Sequence, residues 1–210
     1  MIIAVDGPTA SGKGTIARAL AARFGLPHLD TGLLYRAVGR QCFLDGRDPD
    51  DPVSALAACT FPDSLLDDPE LRSEEAGGLA SRVSVHPAVR AALFERQRSF
   101  ATQAGGAVLD GRDIGTVIAP DADAKLFIVA SLESRAHRRF LEMHEQGRNV
   151  SLDEITADLA RRDERDRTRK DAPLFAADDA VVIDTSSLRR EEAIAAAIAA
   201  VDAAREVHGG

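Results

Sequence analysis

The 210-residue chain has no tryptophan and a single tyrosine, Tyr35, and aromatic residues make up only 4% of it. A stacking platform for nucleic-acid bases needs more than that. A basic excess is missing too. The formal net charge is -8, whereas a sequence-independent nucleic-acid binder is usually basic. The two cysteines, Cys42 and Cys59, have no metal-site or disulfide spacing and read as buried, inert thiols. The histidines at 28, 86, 137, 144 and 208 form no ligand pattern and read as structural or surface residues. No apolar run reaches the ~18 residues of a membrane span. The start, Met1-Ile2-Ile3-Ala4-Val5-Asp6, shows neither a basic leader nor a cleavage site. A soluble, cytoplasmic protein is expected, without membrane or nucleic-acid partners. Lysine is scarce: Lys13, Lys125 and Lys170 stand among 26 basic residues, the rest being arginine. In a chain that uses arginine by default, a lysine at position 13 stands out.

What is present is an ordinary globular balance, 45% hydrophobic and 29% charged. Residues 2–6 form an apolar run before a glycine, as a buried parallel strand would. Ile16, Ala17, Leu20 and Phe24 recur at helical spacing over 13–24, and Gly25 and Pro27 end that helix. A short strand at 27–29 and a helix over 33–44 follow. The segments 48–52 and 61–69 are rich in Pro and Asp and read as loops. Helical pieces are expected at 53–58, 70–82 and 87–103. Further strands are expected at 107–110, 125–130 and 180–184, and further helices at 132–146, 151–168 and 189–206. Strands alternating with helices imply an α/β fold, a three-layer α/β/α sandwich on a five-stranded parallel sheet. No linker divides the chain. Expected boundaries are a core of 1–30, 106–146 and 171–210, an insertion over 31–105 and a short helical lid over 147–170.

The first motif with chemistry is Gly7-Pro8-Thr9-Ala10-Ser11-Gly12-Lys13-Gly14-Thr15. The spacing Gly7-x4-Gly12-Lys13 after a strand and before a helix is that of a P-loop. Its glycines allow close backbone approach, so that successive N–H groups form an anion nest. The helix N-terminus adds its partial positive charge, and Lys13 brings a mobile cation to the terminal phosphates. Gly14 occupies the place where a magnesium-binding Ser or Thr normally stands, and Thr15 comes one later. A nucleoside triphosphate is the expected ligand. A GTP-dependent switch would carry an Asn-Lys-x-Asp motif, but the sole asparagine, Asn149, is followed by Val150.

Three further segments narrow the reading. Asp30-Thr31-Gly32-Leu33-Leu34-Tyr35-Arg36 resembles the D-[ST]-G-x-x-Y-R segment of bacterial cytidylate kinases. Asp110-Gly111-Arg112-Asp113-Ile114-Gly115-Thr116-Val117 is similar to their D-G-R-D-x-G-T-V segment, and Arg162-Asp163-x-Arg165-Asp166-Arg167-x-Arg169 resembles their lid segment. The family resemblance implies a P-loop nucleoside monophosphate kinase that moves the γ-phosphate of ATP to CMP or dCMP, with magnesium accompanying the ATP, acting as a monomer. It implies that Thr31 and Arg36 hold the acceptor phosphate and that Ser81 and Arg90 read the cytosine. Arg162 and Asp166 would lie at the ribose and phosphate region, and Arg169 at the base.

Arg112 can bridge acceptor and transferring group, because a planar guanidinium suits bidentate contact with phosphate oxygens. Asp110 and Asp113 either orient magnesium through water or fix an arginine; a turn-capping role is the alternative. No direct metal ligand is assigned, although Thr15 and Asp110 lie nearest the expected position. Lys13, Arg112, Asp113 and Arg162 are the expected catalytic set. Arg135, Arg138 and Arg139 sit on the 132–146 helix and could close over the ATP phosphates, with Arg138 counted among the ATP-binding residues. Residues 161–171 can equally be read as a salt-bridged surface helix, but Arg162, Asp166 and Arg169, at i, i+4 and i+7, would share one helix face. The β-rich insertion usual before the Ser81 region looks shortened to 59–68. A kinase with a different small acceptor, or a nucleotide-binding module without turnover, are the competing readings.

Overall fold

A computed structural model describes residues 1–208. The side chains of Val207 and His208 lie outside the described residues. The chain forms two compact units, one of Met1–Leu29 with Ala101–Gly210 and the other of Asp30–Phe100.

The first unit is built on parallel strands β1 (Ile2–Asp6), β3 (Ala107–Gly111), β4 (Ala124–Val129) and β5 (Val181–Asp184), with β2 (His28–Asp30) at one edge. The sheet order is β2-β3-β1-β4-β5. β1 is central, pairing Ile3 with Val108 on one side and with Ala124 on the other. The chain leaves β1 towards β2 and leaves β3 in the opposite direction, towards β4. Adjacent strands whose connections part in this way open a crevice at their carboxyl ends, where α/β proteins bind ligands. The loop after Asp6 and the segment after Asp110 both emerge at that crevice.

Burial explains the strands. Ile3, Val5, Val108, Leu126 and Ile128 join Ile16, Ala17 and Leu20 of α1 (Lys13–Phe24) and Ala197 and Val201 of α8 (Arg190–His208) in one core. Each large side chain so removed from water contributes roughly 1.5–3 kcal/mol. β5 is an edge strand, and its Val181 and Val182 remain exposed. A smaller core joins α6 (Leu132–Glu145) to α7 (Leu152–Thr168) through Ala136, Met143, Ile155 and Leu159. Ser151 starts α7 with a capping box to Glu154, which satisfies two otherwise orphaned amides. One element was not anticipated from sequence, a π-type turn at Ile114–Ile118.

The second unit is helical: α2 (Thr31–Leu44), α3 (Pro52–Ala57), α4 (Glu74–Val83) and α5 (Pro87–Ala101). The segment read as a loop at 61–69 is mostly two short 3-10 turns, Asp63–Asp67 and Pro69–Arg72. The helix expected over 70–82 begins only at Glu74, because Ser73 caps it by accepting from Ala76 N–H. No strand occurs in this unit among the described residues, so the shortened insertion carries 3-10 turns instead. Arginines tie its acidic stretches down: Arg82 contacts Asp48 and Asp50, and Arg40 contacts Asp68. The exposed pairs of Arg82 contribute roughly 0–1 kcal/mol each. Both thiols are held in protonated form by burial, with Cys59 pushed up to about 11.

Helices α2 and α4 meet backbone to backbone at Gly39. A Cβ there would stand 2.6 Å from Leu79 Cβ. We therefore expect Gly39→Ala to destabilise this unit by about 1–3 kcal/mol through overpacking. Gly78→Ala in α4, where an added Cβ meets nothing within 4 Å, should instead stabilise by roughly 0.5–1 kcal/mol. Urea midpoints of the two variants against the parent measure both, and equal shifts would contradict the close-approach argument.

Candidate active site

The loop from Gly7 to Thr15 follows the buried end of β1. Gly7 has φ 152°, and a Cβ on it would stand 2.1 Å from the Ile128 carbonyl oxygen, so only glycine passes this close to β4. Ala10 at φ 62° and Gly12 at φ 91° adopt left-handed conformations. Such residues turn successive N–H groups to one side, as an anion nest requires. Thr15 and Ile16 N–H both donate to the Gly12 carbonyl, starting α1 there. The fully buried Ser11 is supported from below: the Thr185 hydroxyl donates to its carbonyl oxygen at 2.9 Å. Lys13 Nζ lies 3.4 Å from the Pro8 carbonyl oxygen, across the loop.

Arg112, just beyond β3, joins three elements. Its Nε donates to Asp166 Oδ2 at 2.7 Å and its Nη2 to Thr9 Oγ1 at 2.6 Å. The guanidinium thereby spans the crevice from the phosphate loop to α7. Asp166 is buried, which by itself would raise its pKa. The charge and hydrogen bond of Arg112, with the charges of Arg169 and Lys13, outweigh that and hold it below the ordinary value. Arg169 stands 3.9 Å from both Asp166 Oδ1 and Asp113 Oδ1, and its Nε donates to the Ala172 carbonyl.

The arginine-rich stretch thus splits in two. Arg161 and Arg167 make exposed pairs with Asp158 and Glu164, as a solvated helix would. Arg162 and Asp166 are buried. Burial lowers the Arg162 pKa, as do the neighbouring charges of Arg139 and Arg112, while Asp158 at 2.7 Å opposes them. Arg169 needs a correction. It does not continue the helical face, because α7 ends at Thr168 and Arg169 is extended, at ψ 141°. It reaches the cluster because the chain reverses there, with Leu174 N–H donating to the Asp166 carbonyl.

The α6 arginines have separate jobs. Arg135 is buried and bidentate to Asp163, and it also donates to the Thr9 and Ala130 carbonyls. Arg138 donates to the hydroxyl and carbonyl oxygens of Thr185, and Arg139 pairs with Glu142. Arg135 and Arg138 therefore brace the floor and side of the phosphate loop.

In the second unit, Thr31 is buried in the first turn of α2. Arg36 donates to the Leu71 and Ser73 carbonyls at 2.8 and 3.0 Å. Arg90 lies over the Tyr35 ring at 5.9 Å from its centroid, and Ser81 is half-buried on α4.

Three supporting roles escaped the sequence reading. Thr185 beneath the loop and the pairing of Arg135 with Asp163 left no local signal. Asp6 had one, an acid closing an apolar strand immediately before the loop. Its two carboxylate oxygens accept from Ile114 N–H at 2.9 Å and Gly115 N–H at 2.8 Å, which fixes the turn that follows Arg112 and Asp113.

A phosphate nest at the crevice of a parallel sheet, faced by buried arginines with carboxylate partners, defines a P-loop phosphotransferase. Phosphoryl transfer calls for positioning and charge neutralisation rather than a triad of acid, base and nucleophile. A family model described as cytidylate kinase matches residues 3–203. A cytidylate kinase of Xanthobacter autotrophicus is 56% identical over 205 residues, covering 98% of this chain and 99% of its own. One of Azorhizobium caulinodans is 53% identical over 205 residues, covering 98% of this chain and all of its own. A solved structure of an uncharacterized protein from Eubacterium ventriosum shares the fold, with TM-score 0.55 and 17% identity over 97% of this chain and 98% of that one. The chain belongs to the cytidylate kinase family.

Asp6 generates a pH prediction. Burial is the main cause that raises its pKa from 3.8 to about 6, the two amide hydrogen bonds opposing it and the charge of Asp113 adding to it. Between those values the native state holds the extra proton, so the stability contributed by Asp6 falls as pH rises and is level above the window. The difference amounts to about 3 kcal/mol. Asp6→Asn should flatten the dependence of the urea midpoint on pH between about 4 and about 7. Its absolute stability falls because one amide loses its acceptor, so the slope is the test. An unchanged slope would contradict the assignment.

Proposed function

We propose that the protein transfers the γ-phosphate of ATP to CMP or dCMP, giving ADP and CDP or dCDP. The observation that carries this is the Arg112 guanidinium, set between the phosphate loop at Thr9 and Asp166 of α7 in a chain of the cytidylate kinase family. An acceptor phosphate oxygen attacks the γ-phosphorus while its bond to the β–γ bridging oxygen breaks. The attacking oxygen is already anionic, so no general base is needed. This fits a site with arginines where a base would otherwise stand.

In this reading the loop N–H groups and Lys13 hold the donor phosphates. Arg112 and Arg162 neutralise charge on the transferring group, and Asp113 and Asp166 orient arginines. Thr31, Arg36, Ser81 and Arg90 are assigned to the acceptor by the family resemblance, and Arg169 to its base. Residues 31–105 act as the monophosphate-binding insertion and 147–170 as a lid that excludes water, the competing acceptor. The lidded reading is supported by Arg135, which ties α6 to Asp163 of α7 and to the loop at Thr9.

Magnesium is implied with the ATP, and the residues present fit it. A cation that keeps most of its waters and binds through substrate phosphates needs only one or two hard oxygen ligands or water anchors. The buried Asp110 carboxylate would supply one: a Cβ on Gly14 would stand 3.6 Å from its Oδ2, with Arg18 Nη1 at the same distance. A carboxylate beside an anion nest would help to hold a cation that accompanies the bound phosphates. When bound, magnesium supplies positive charge across the donor phosphate oxygens. Asp110, and the Thr15 hydroxyl in the first turn of α1, would hold it.

A coupled assay with ATP and each nucleoside monophosphate tests the reading. Turnover should be fastest with CMP and dCMP; equal rates with AMP, or no transfer to any monophosphate, would sink it. Arg169→Ala should raise KM for CMP about tenfold or more while KM for ATP stays within about twofold. A loss confined to ATP would overturn the role given to Arg169.

A further inference from the structure

His28, on the short edge strand β2, was read from the sequence as a bland structural residue. The structure puts its Nε2 2.7 Å from Asp110 Oδ1, with the Asp110 side chain 4% exposed and His28 18% exposed. A carboxylate accepts, so the ring nitrogen donates. His28 opens β2, and Asp110 lies near the carboxyl end of the neighbouring strand β3. The opposite oxygen of the same carboxylate, Oδ2, faces Gly14, where α1 begins and where a P-loop usually carries a hydroxyl. Gly14 brings no side chain to this point, where Arg18 Nη1 stands as near as Asp110 Oδ2, and the hydrogen bond from His28 bears on the direction of the Asp110 carboxylate from its other oxygen.

We propose that His28 is a positioning residue for phosphoryl transfer: by holding Oδ1 of Asp110 it keeps Oδ2 turned toward Gly14, where the carboxylate meets the cation that accompanies the donor triphosphate. The inference rests on the reading of Asp110 given above. It is a case of an imidazole outside the ligand set orienting a carboxylate within it. The bond spans 82 residues of sequence between two adjacent strands, so a purely structural staple between β2 and β3 is the competing account. A staple would affect stability alone. A positioning residue must affect how strongly the cation improves nucleotide binding, and kcat more than the KM for CMP.

The experiment uses the full chain with His28→Phe, His28→Gln and Asp110→Asn. Calorimetry gives ATP affinity in magnesium and in chelator, and the ratio of the two is the readout, independent of turnover. Steady-state kinetics with CMP and thermal unfolding accompany it. His28→Phe should reduce the magnesium-to-chelator ratio and kcat about tenfold each, within the range seen for residues that orient metal ligands. KM for CMP should change little. His28→Gln, which retains an N–H donor, should recover most of both, and it replaces the phenylalanine variant if that one does not fold. Asp110→Asn should remove the ratio altogether. If Asp110→Asn removes it and both His28 variants leave it intact while lowering the unfolding temperature, His28 is only a staple and the inference falls alone. If Asp110→Asn leaves the ratio intact, the reading of Asp110 falls and takes the inference with it.

Discussion

Positive charge crowded around a point is the constraint on which the site depends. Burial lowers the pKa of Arg162, and Arg139 and Arg112 are near enough to lower it further, while Arg112, Arg169 and Lys13 all act on Asp166. Unit charges about 4 Å apart repel by about 4 kcal/mol at an effective dielectric constant of 20, so the cluster cannot stand without carboxylates threaded through it. Asp166 holds Arg112, Asp158 holds Arg162 and Asp163 holds Arg135. All three acids lie on α7, at positions that turn inward or to the flank of one helix. The helix that carries much of the charge also carries its neutralisation, and both are brought to the sheet by a small apolar seam between α6 and α7. This arrangement keeps the guanidinium groups ordered and partly desolvated, which is the condition under which they act most strongly on phosphate oxygens.

Much of this was legible in the sequence, for identifiable reasons. β1, α1 and the loop between them follow from a short apolar run, a glycine pattern and a helical period, all local signals, and they stand at 2–6, 7–12 and 13–24 as read. That Arg162 and Asp166 share one helix face was visible from their i, i+4 spacing; their burial was not. The position of Arg169 was not. It depends on the end of α7 ahead of Pro173, on the positive φ of 48° at Ala172, and on the reversal that returns Leu174 to Asp166. A residue at i+7 on a helix and a residue at a helix terminus can reach the same place by unrelated routes, and sequence spacing cannot distinguish them.

What the sequence concealed most fully are groups whose work is done through another residue. Thr185 follows the edge strand β5 and shows no motif, yet its hydroxyl supports Ser11 and its oxygens receive Arg138. The arginine read as an ATP ligand therefore acts, in this structure, on the frame beneath the loop. Asp6 works likewise through two amides of the turn after Asp113. Long-range partners of this kind become visible only once β1, β3 and β5 have been set in order, because the sheet determines which strand ends are neighbours.

Ala10 shows how the loop and the arginine-bearing hairpin are made into one device. An L-residue in the left-handed region costs roughly 1–2 kcal/mol, and glycine would avoid it. The chain nevertheless places a methyl group there, at φ 62°. That methyl packs against the core of α6 and α7 formed by Ala136, Met143, Ile155 and Leu159. The conformation that turns the loop's amides inward also points Cβ outward, onto the hairpin. Together with Arg135, which donates to the Thr9 carbonyl beside it, this contact gives the donor-phosphate nest and the arginine cluster a common footing. A strained residue at the loop's tip is thus stabilised by the helices that bring the opposing charges, and the geometry of phosphate binding and that of charge neutralisation are set by the same packing.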